Sequence, residues 1–276
     1  MLALKGRELW IGYALLALSI LLVVLPFLWI LMTSFKYQID IYTGAWVFTP
    51  TLFNYADVLF GPRSDFLTNV GNSLIVAAVS TVVVLVIGTL AAYSLAKLPW
   101  APWISKAFLG WMLLFHMIPV LTIVGPWYLL FQEIGLYATL TGLILTHITI
   151  NLPMTVWLMM AFFRDIPVEL EEAARVDGCR RAQAFRKVVL PLAVPGLIAA
   201  GVIAFVFSWN EFSIALNLTS RGTATVPVGI AQFAQQYEIQ NGQMAAASMI
   251  STIPAMLLML FGQRFVVQGL TLGSVK

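Results

Sequence analysis

The chain has 276 residues, 61% of them hydrophobic and only 10% charged. Soluble domains carry about 25% charged residues, so this composition excludes an ordinary water-soluble globule and points to lipid as the solvent. A net charge of +3 is too small to suggest a nucleic-acid partner, and one cysteine, Cys179, excludes an internal disulfide.

Six apolar stretches approach the roughly 20 helical residues needed to cross a bilayer. In chain order they lie near Trp10–Thr33, Asn69–Leu95, Ala107–Phe131, Thr139–Phe163, Leu192–Leu216 and Met244–Phe261. Each must be helical, because a lone strand in lipid leaves its backbone N–H and C=O groups unpaired. The first follows Lys5 and Arg7, as a signal peptide would. Its apolar run is too long for a signal core and no small-residue cleavage site follows, so it is expected to remain as the first helix. The second and third are separated only by AKLPWAPWISK, whose prolines and lysines stop the run. Pro26, Pro119, Pro126, Pro153 and Pro254 are expected to bend the helices that hold them.

The outer loops are expected at Phe35–Thr68, Gln132–Ala138 and Asn217–Gln243. Trp46, Phe48, Phe53, Tyr55 and Phe60 in the first suit the lipid–water boundary. With the N-terminus inside, the inner segments hold twelve Lys and Arg residues against three (Lys36, Arg63 and Arg221) outside. The positive-inside rule then places both termini in the cytoplasm. The chain reads as one membrane domain, 1–276, with a large cytoplasmic segment at 164–191 and a cytoplasmic tail at 269–276.

The segment Arg164–Pro191 carries most of the inner charge. Asp165 can cap a helix whose first turn takes Pro167 and Glu169. Leu170, Ala173, Ala174 and Asp177 share one side of that helix, which is narrow and mostly small. Gly178 suits the left-handed residue that ends it. A second short helix is expected before Pro191 and Pro195 turn the chain back into lipid. Cys179 reads as a small filler in the turn.

Within this segment Glu172-Ala173-Ala174 is followed by three residues, Gly178, nine residues, and then Val188-Val189-Leu190-Pro191. The pattern resembles the EAA loop of permease subunits in binding-protein-dependent ABC importers, with Val188 where Ile is usual. Three stretches extend the resemblance to the carbohydrate-uptake branch and the smaller permease of maltose-type importers. They are IPVELEEAARVDG, SWNEF at Ser208–Phe212, and GLTLGSVK at Gly269–Lys276.

The resemblance implies an all-α polytopic fold of six transmembrane helices, the type I importer permease. It implies a multi-pass protein of the prokaryotic plasma (inner) membrane, paired with a second homologous permease. Two ATP-binding subunits and an extracytoplasmic sugar-binding protein complete the assembly. The docking set for the ATPase is then Glu172, Ala173, Ala174, Asp177, Gly178, Leu190 and Pro191. The tail Gly269–Lys276 is expected to reach the ATPase interface. No G-x-x-x-x-G-K-[ST] loop exists in the chain. ATP and Mg are therefore expected on the partner, with no cofactor and no catalysis in this subunit.

Substrate contacts are less marked. Glu211 is the one acid well inside an expected span, and such residues are expensive enough to suggest function. It is expected either to line the pathway or to sit at the membrane edge. Asn210 and Trp209 beside it offer an amide and a flat ring to a sugar. His116, His147 and Asn151 are polar residues within spans, suited to holding helices together or to touching solute. Two histidines and one distant cysteine give no metal-site spacing. Two other readings have less support. A self-sufficient ion-coupled secondary transporter needs a midplane coupling site, for which Glu211 alone is thin support. An intramembrane enzyme needs a convergent acid, base and nucleophile, and none is apparent.

Overall fold

The computed structural model describes residues 6–62, 64–234 and 239–272. They form α1 (Gly6–Ser34), α2 (Gln38–Tyr42), α3 (Phe53–Phe60), α4 (Phe66–Lys97), α5 (Pro102–Met117), α6 (Val120–Glu133) and α7 (Leu140–Asp165). Then follow α8 (Val168–Val176), α9 (Arg181–Ala184), a π-helical segment (Phe185–Val189), α10 (Leu190–Leu192), α11 (Val194–Trp209), α12 (Ser213–Leu218), α13 (Val226–Ala231) and α14 (Asn241–Leu272). Among the described residues the one β pairing is an isolated bridge between Ala234 and Ile239.

Four helices, α1, α4, α7 and α14, are each long and apolar enough to span a membrane. Two further apolar helix pairs are sharply bent, and they bring the total to six if each pair is one span. Helices α5 and α6 meet at 92° across Ile118–Pro119, so the expected third span is broken. Pro119 lacks the N–H that would continue the hydrogen-bond ladder, and it forces Ile118 out of the helical region. The fifth expected span is also corrected. Its helix ends at Trp209, and Asn210–Phe212 separate it from the short α12. At its other end, Arg181–Leu192 and α11 bend by 71° around Ala193, with Pro191 and Pro195 on either side. The sixth helix is longer than expected at both ends, from Asn241 to Leu272. Pro26, Pro126, Pro153 and Pro254 lie inside helices that continue through them.

The chain divides into two compact units, 1–66 with 230–253, and 67–229 with 254–276. In the first, the Asn54 amide donates to the carbonyls of Ser34 and Lys36 at 2.9 and 2.8 Å, closing the end of α1. Gly242 lies against that amide, where a Cβ would sit 2.7 Å from its nitrogen. Lys36 is buried, and its ammonium donates to the Ala45 carbonyl at 2.6 Å above the Phe48 ring. Along α1 nearly every apolar side chain is exposed, including Leu15, Leu18, Leu22 and Phe27. Such a surface is stable only against lipid or another apolar protein face.

The second unit is built on α4, α7 and α11. Glycines let their backbones approach, as is usual where helices pack in lipid. A Cβ on Gly88 would lie 2.9 Å from the Thr155 methyl, and one on Gly196 would lie 2.5 Å from the Phe162 ring. Two apolar clusters result. One gathers Tyr93, Met159, Phe163, Val189 and Ala200. The other gathers Val76, Leu143, Ile214 and Leu218. Ser80 on α4 and His147 on α7 fall between members of the two clusters, and Ser208 falls between Ala200 on α11 and Ile214 on α12.

Candidate functional site: a charged segment between spans and an intramembrane polar cluster

The charged segment begins at Ile166, where α7 stops. Asp165 is the last residue of α7 and not a cap for α8. The N-cap of α8 is Pro167, which makes no side-chain cap bond. Glu169 and Glu171 fall in the first turn, where carboxylates favour the helix dipole. The C-terminus ends in a Schellman motif. The Gly178 N–H donates to the Arg175 carbonyl at 3.1 Å and the Cys179 N–H to the Ala174 carbonyl at 3.0 Å. Gly178 has φ +91°, a conformation that a side chain would strain. Next, the Arg180 N–H donates to the Gln183 side chain at 2.8 Å and starts α9. The two short helices joined by a tight turn are thus present. The second continues through the π segment into α10, which carries Leu190 and Pro191.

The two faces of α8 differ in one respect from the sequence pattern. Glu172, Ala173 and Asp177 are exposed, as is Leu170. Ala174 instead turns inward together with Glu171. The Tyr93 hydroxyl donates to Glu171 Oε1 at 2.6 Å. A nine-residue helix flanked by a bundle on one side needs one anchored face, and Glu171/Ala174 is that face. Glu172 is left with its carboxylate facing outward.

The second cluster lies inside the bundle. His147 is fully buried on α7, and its Nδ1 shares a hydrogen bond of 2.5 Å with Ser208 Oγ on α11. Ser80 Oγ on α4 lies 3.2 Å from Ser208 Oγ. One serine therefore ties three spanning helices together, which is the holding role open to His147. The other ring nitrogen, Nε2, is buried without a hydrogen-bond partner. It lies 3.8 Å from Glu211 Oε2, too long for a hydrogen bond.

Glu211 already has partners. Its two carboxylate oxygens accept from the Ile214 and Ala215 N–H groups at 2.8 and 3.0 Å. It therefore caps α12, whose own N-cap residue, Phe212, supplies no side-chain bond. Asn210 is exposed and donates to the Val206 carbonyl at 2.9 Å. The open ring face expected of Trp209 is absent, because Trp209 is 3% exposed and stacks on Phe205 at 6.0 Å. His116 is exposed on α5 and bonds the Met112 carbonyl of its own helix, while Asn151 bonds the His147 carbonyl one turn back. Among the described residues no three His, Cys, Asp or Glu side chains converge as metal ligands would.

Residues 85–271 match the family described as binding-protein-dependent transport system inner membrane component. The chain belongs to this family. The match spans the charged segment Arg164–Pro191 and the helices on either side of it. The chain is 39% identical over 270 residues to the trehalose transport system permease protein SugB of Mycobacterium tuberculosis (strain CDC 1551 / Oshkosh), covering 96% of this chain and 94% of that protein. It is 33% identical over 282 residues to the trehalose/maltose transport system permease protein MalG of Thermococcus litoralis, covering 99% and 98%. A bacterial ABC transporter involved in the import of the acidic polysaccharide alginate shares the fold, with a TM-score of 0.79 at 20% identity, covering 95% of this chain and 99% of that one.

As an inner-membrane permease, the chain is a multi-pass helical protein whose charged loop at Glu172 lies between two of its spans. Sequence reasoning missed Tyr93, Glu171, Ser80 and Ser208. Glu171 is adjacent to the motif, and a buried tyrosine near the end of a span is a natural donor for it. No local signal joins Ser80 and Ser208, which are 128 residues apart. The tail at 269–276 is described only as far as Leu272, where α14 ends; the rest lies outside the described residues.

Proposed function

We propose that this permease forms half of the pathway of an ATP-driven sugar importer, beside a second homologous permease. The observation that carries the sugar class is the 39% identity to a trehalose permease over 96% of the chain. The similarity to a trehalose/maltose permease over nearly the full length points the same way. A neutral glycoside of disaccharide size is the solute this reading favours, with trehalose first among those to test. An extracytoplasmic binding protein delivers it, in keeping with the family's description.

In this reading both termini and the Glu172 loop face the cytoplasm, as the distribution of Lys and Arg favours. Two ATP-binding subunits, which hold ATP and Mg, dock on the loops of the two permeases. This chain hydrolyses nothing itself. Glu172, Ala173 and Asp177 form the outward face for docking, supported by their exposure. Gly178 fixes the direction in which the chain leaves α8, Ala174 lies on the buried face of that helix, and Leu190 and Pro191 lead the segment back toward α11. When the ATPase dimer closes, α8 moves with it and the spans rock between inward- and outward-facing states. Asn210 is the exposed polar group beside the break after α11, and it is the first candidate for contact with solute. Glu211 shapes that break by capping α12, and His147 holds α7 to α11 beneath it. Trp209 and Asn151, both buried, support helix packing, and His116 stays on the exposed side of α5.

The test is uptake in proteoliposomes holding this permease, its partner permease, the ATPases and the binding protein. ATP-dependent accumulation of labelled trehalose, competed by unlabelled trehalose, is the expected result. Uptake of an amino acid or inorganic ion in place of every sugar offered would refute the sugar class. Uptake driven by an ion gradient without ATP would favour the secondary-transporter reading.

A further inference from the structure

We propose that Tyr93 and Glu171 form a joint through which α8 moves α4 directly, and this rests on the ATP-powered reading above. Helix α8 is joined by the chain only to α7 and, through α9 and α10, to α11. Nothing in the connectivity attaches it to α4, which ends at Lys97, well before α8 begins at Val168. Side chains make that attachment twice. The Tyr93 hydroxyl donates to Glu171 Oε1 at 2.6 Å. One turn further along the same face of α4, Lys97 Nζ donates to the Ile166 carbonyl at 2.5 Å, just before α8 begins.

The surroundings make the first contact a fixed one. Glu171 is 8% exposed, while the neighbouring Glu169 and Glu172 face solvent. The Tyr93 ring lies 5.8 Å from Phe163 at the end of α7 and 4.5 Å from Phe185 in the π segment. It is therefore wedged between the two strands of chain that lead into and out of the coupling segment. A phenol held by rings on both flanks cannot follow the carboxylate by rotating freely. Displacement of Glu171 is passed to the backbone of α4. Buried hydrogen bonds to a carboxylate are also among the stronger ones in proteins. The adjacent acids divide the work. Glu172 faces the partner, and Glu171 faces the bundle and carries the motion inward.

The remote end of α4 supplies the readout. Leu74 is 42% exposed there, and Cys179 is the one cysteine to remove. The experiment uses the assembled importer in proteoliposomes, with Cys179→Ser, Leu74→Cys and a nitroxide label at position 74. ATP with vanadate is expected to change the label's spectrum relative to ADP. Tyr93→Phe keeps the ring and removes only the hydroxyl. It should reduce that change at least about 3-fold while ATP hydrolysis continues, because the hydrogen bond that holds the joint is lost. Glu171→Ala should do the same, and Glu171→Gln, which keeps an acceptor oxygen for Tyr93, should retain most of the change. A full nucleotide response in Tyr93→Phe overturns the joint, and so does reduced thermal stability with an unchanged response. No response in the Tyr93-containing parent overturns the powering reading itself, and the joint with it.

Discussion

Replacing Gly196 by alanine tests the packing on which the second unit rests. A Cβ at Gly196 would lie 2.5, 2.6 and 2.8 Å from three carbons of the Phe162 ring. Carbon atoms in contact rest about 3.5–4.0 Å apart, so the ring must retreat by roughly 1 Å. It has little room to do so. Phe162 is 6% exposed and belongs to the cluster with Met159 and Phe163. The methyl therefore has to push α7 and α11 apart or force the ring off its rotamer, at about 1–3 kcal/mol. Gly201→Ala is the matched control. Its Cβ would lie 3.1 Å from the tip of Leu85, which a small rotation relieves, and 4.0 Å from the Thr81 methyl, an ordinary contact. Unfolding in mixed detergent micelles, followed by tryptophan fluorescence, should show Gly196→Ala markedly less stable and Gly201→Ala close to the parent. Equal stability of the two variants would refute the idea that a close α7–α11 approach at Gly196 organises the unit.

Three further outcomes follow from the geometry. Ser208→Ala removes the hydroxyl shared by His147 and Ser80, leaves the buried imidazole without its 2.5 Å partner, and should cost about 1–3 kcal/mol in the same unfolding assay. Glu211→Ala strips the cap from α12, so hydrogen exchange at the Ile214 and Ala215 amides should quicken, matching a loss of about 1 kcal/mol. Gly178→Val places a β-branched residue at φ +91°, a strain of about 1–3 kcal/mol. Exchange at the Cys179 amide should then rise sharply if the Schellman turn opens.

Much of this architecture is legible in the sequence because lipid imposes simple rules. Apolar length locates the spans, and Gly178 announces a helix end whose left-handed residue is there at φ +91°. The spacing from Glu172 to Pro191 is local, so a short window reveals it. What stays hidden depends on contacts across the fold. Proline occurs in five expected spans or their edges, yet among the described residues the chain bends sharply only at Pro119 and between Pro191 and Pro195, and nothing local in the sequence sets these prolines apart from Pro26, Pro126, Pro153 and Pro254. The rotation of α8 could not be read from nine residues carrying Glu169, Glu171 and Glu172. It is set by Tyr93, 78 residues away. Trp209 beside Asn210 looks like an open sugar platform in sequence, but stacking on Phe205 buries it.

In the proposed mechanism, ATP hydrolysis by partner subunits reaches this permease through the exposed face of α8. Glu172→Lys in the fully assembled, reconstituted importer tests it most directly, because Glu172 makes no contribution to the buried face held by Glu171 and Ala174. ATP-dependent trehalose uptake should collapse while the variant permease inserts and unfolds like the parent. Parental uptake per ATP hydrolysed in the Glu172→Lys importer would contradict the account.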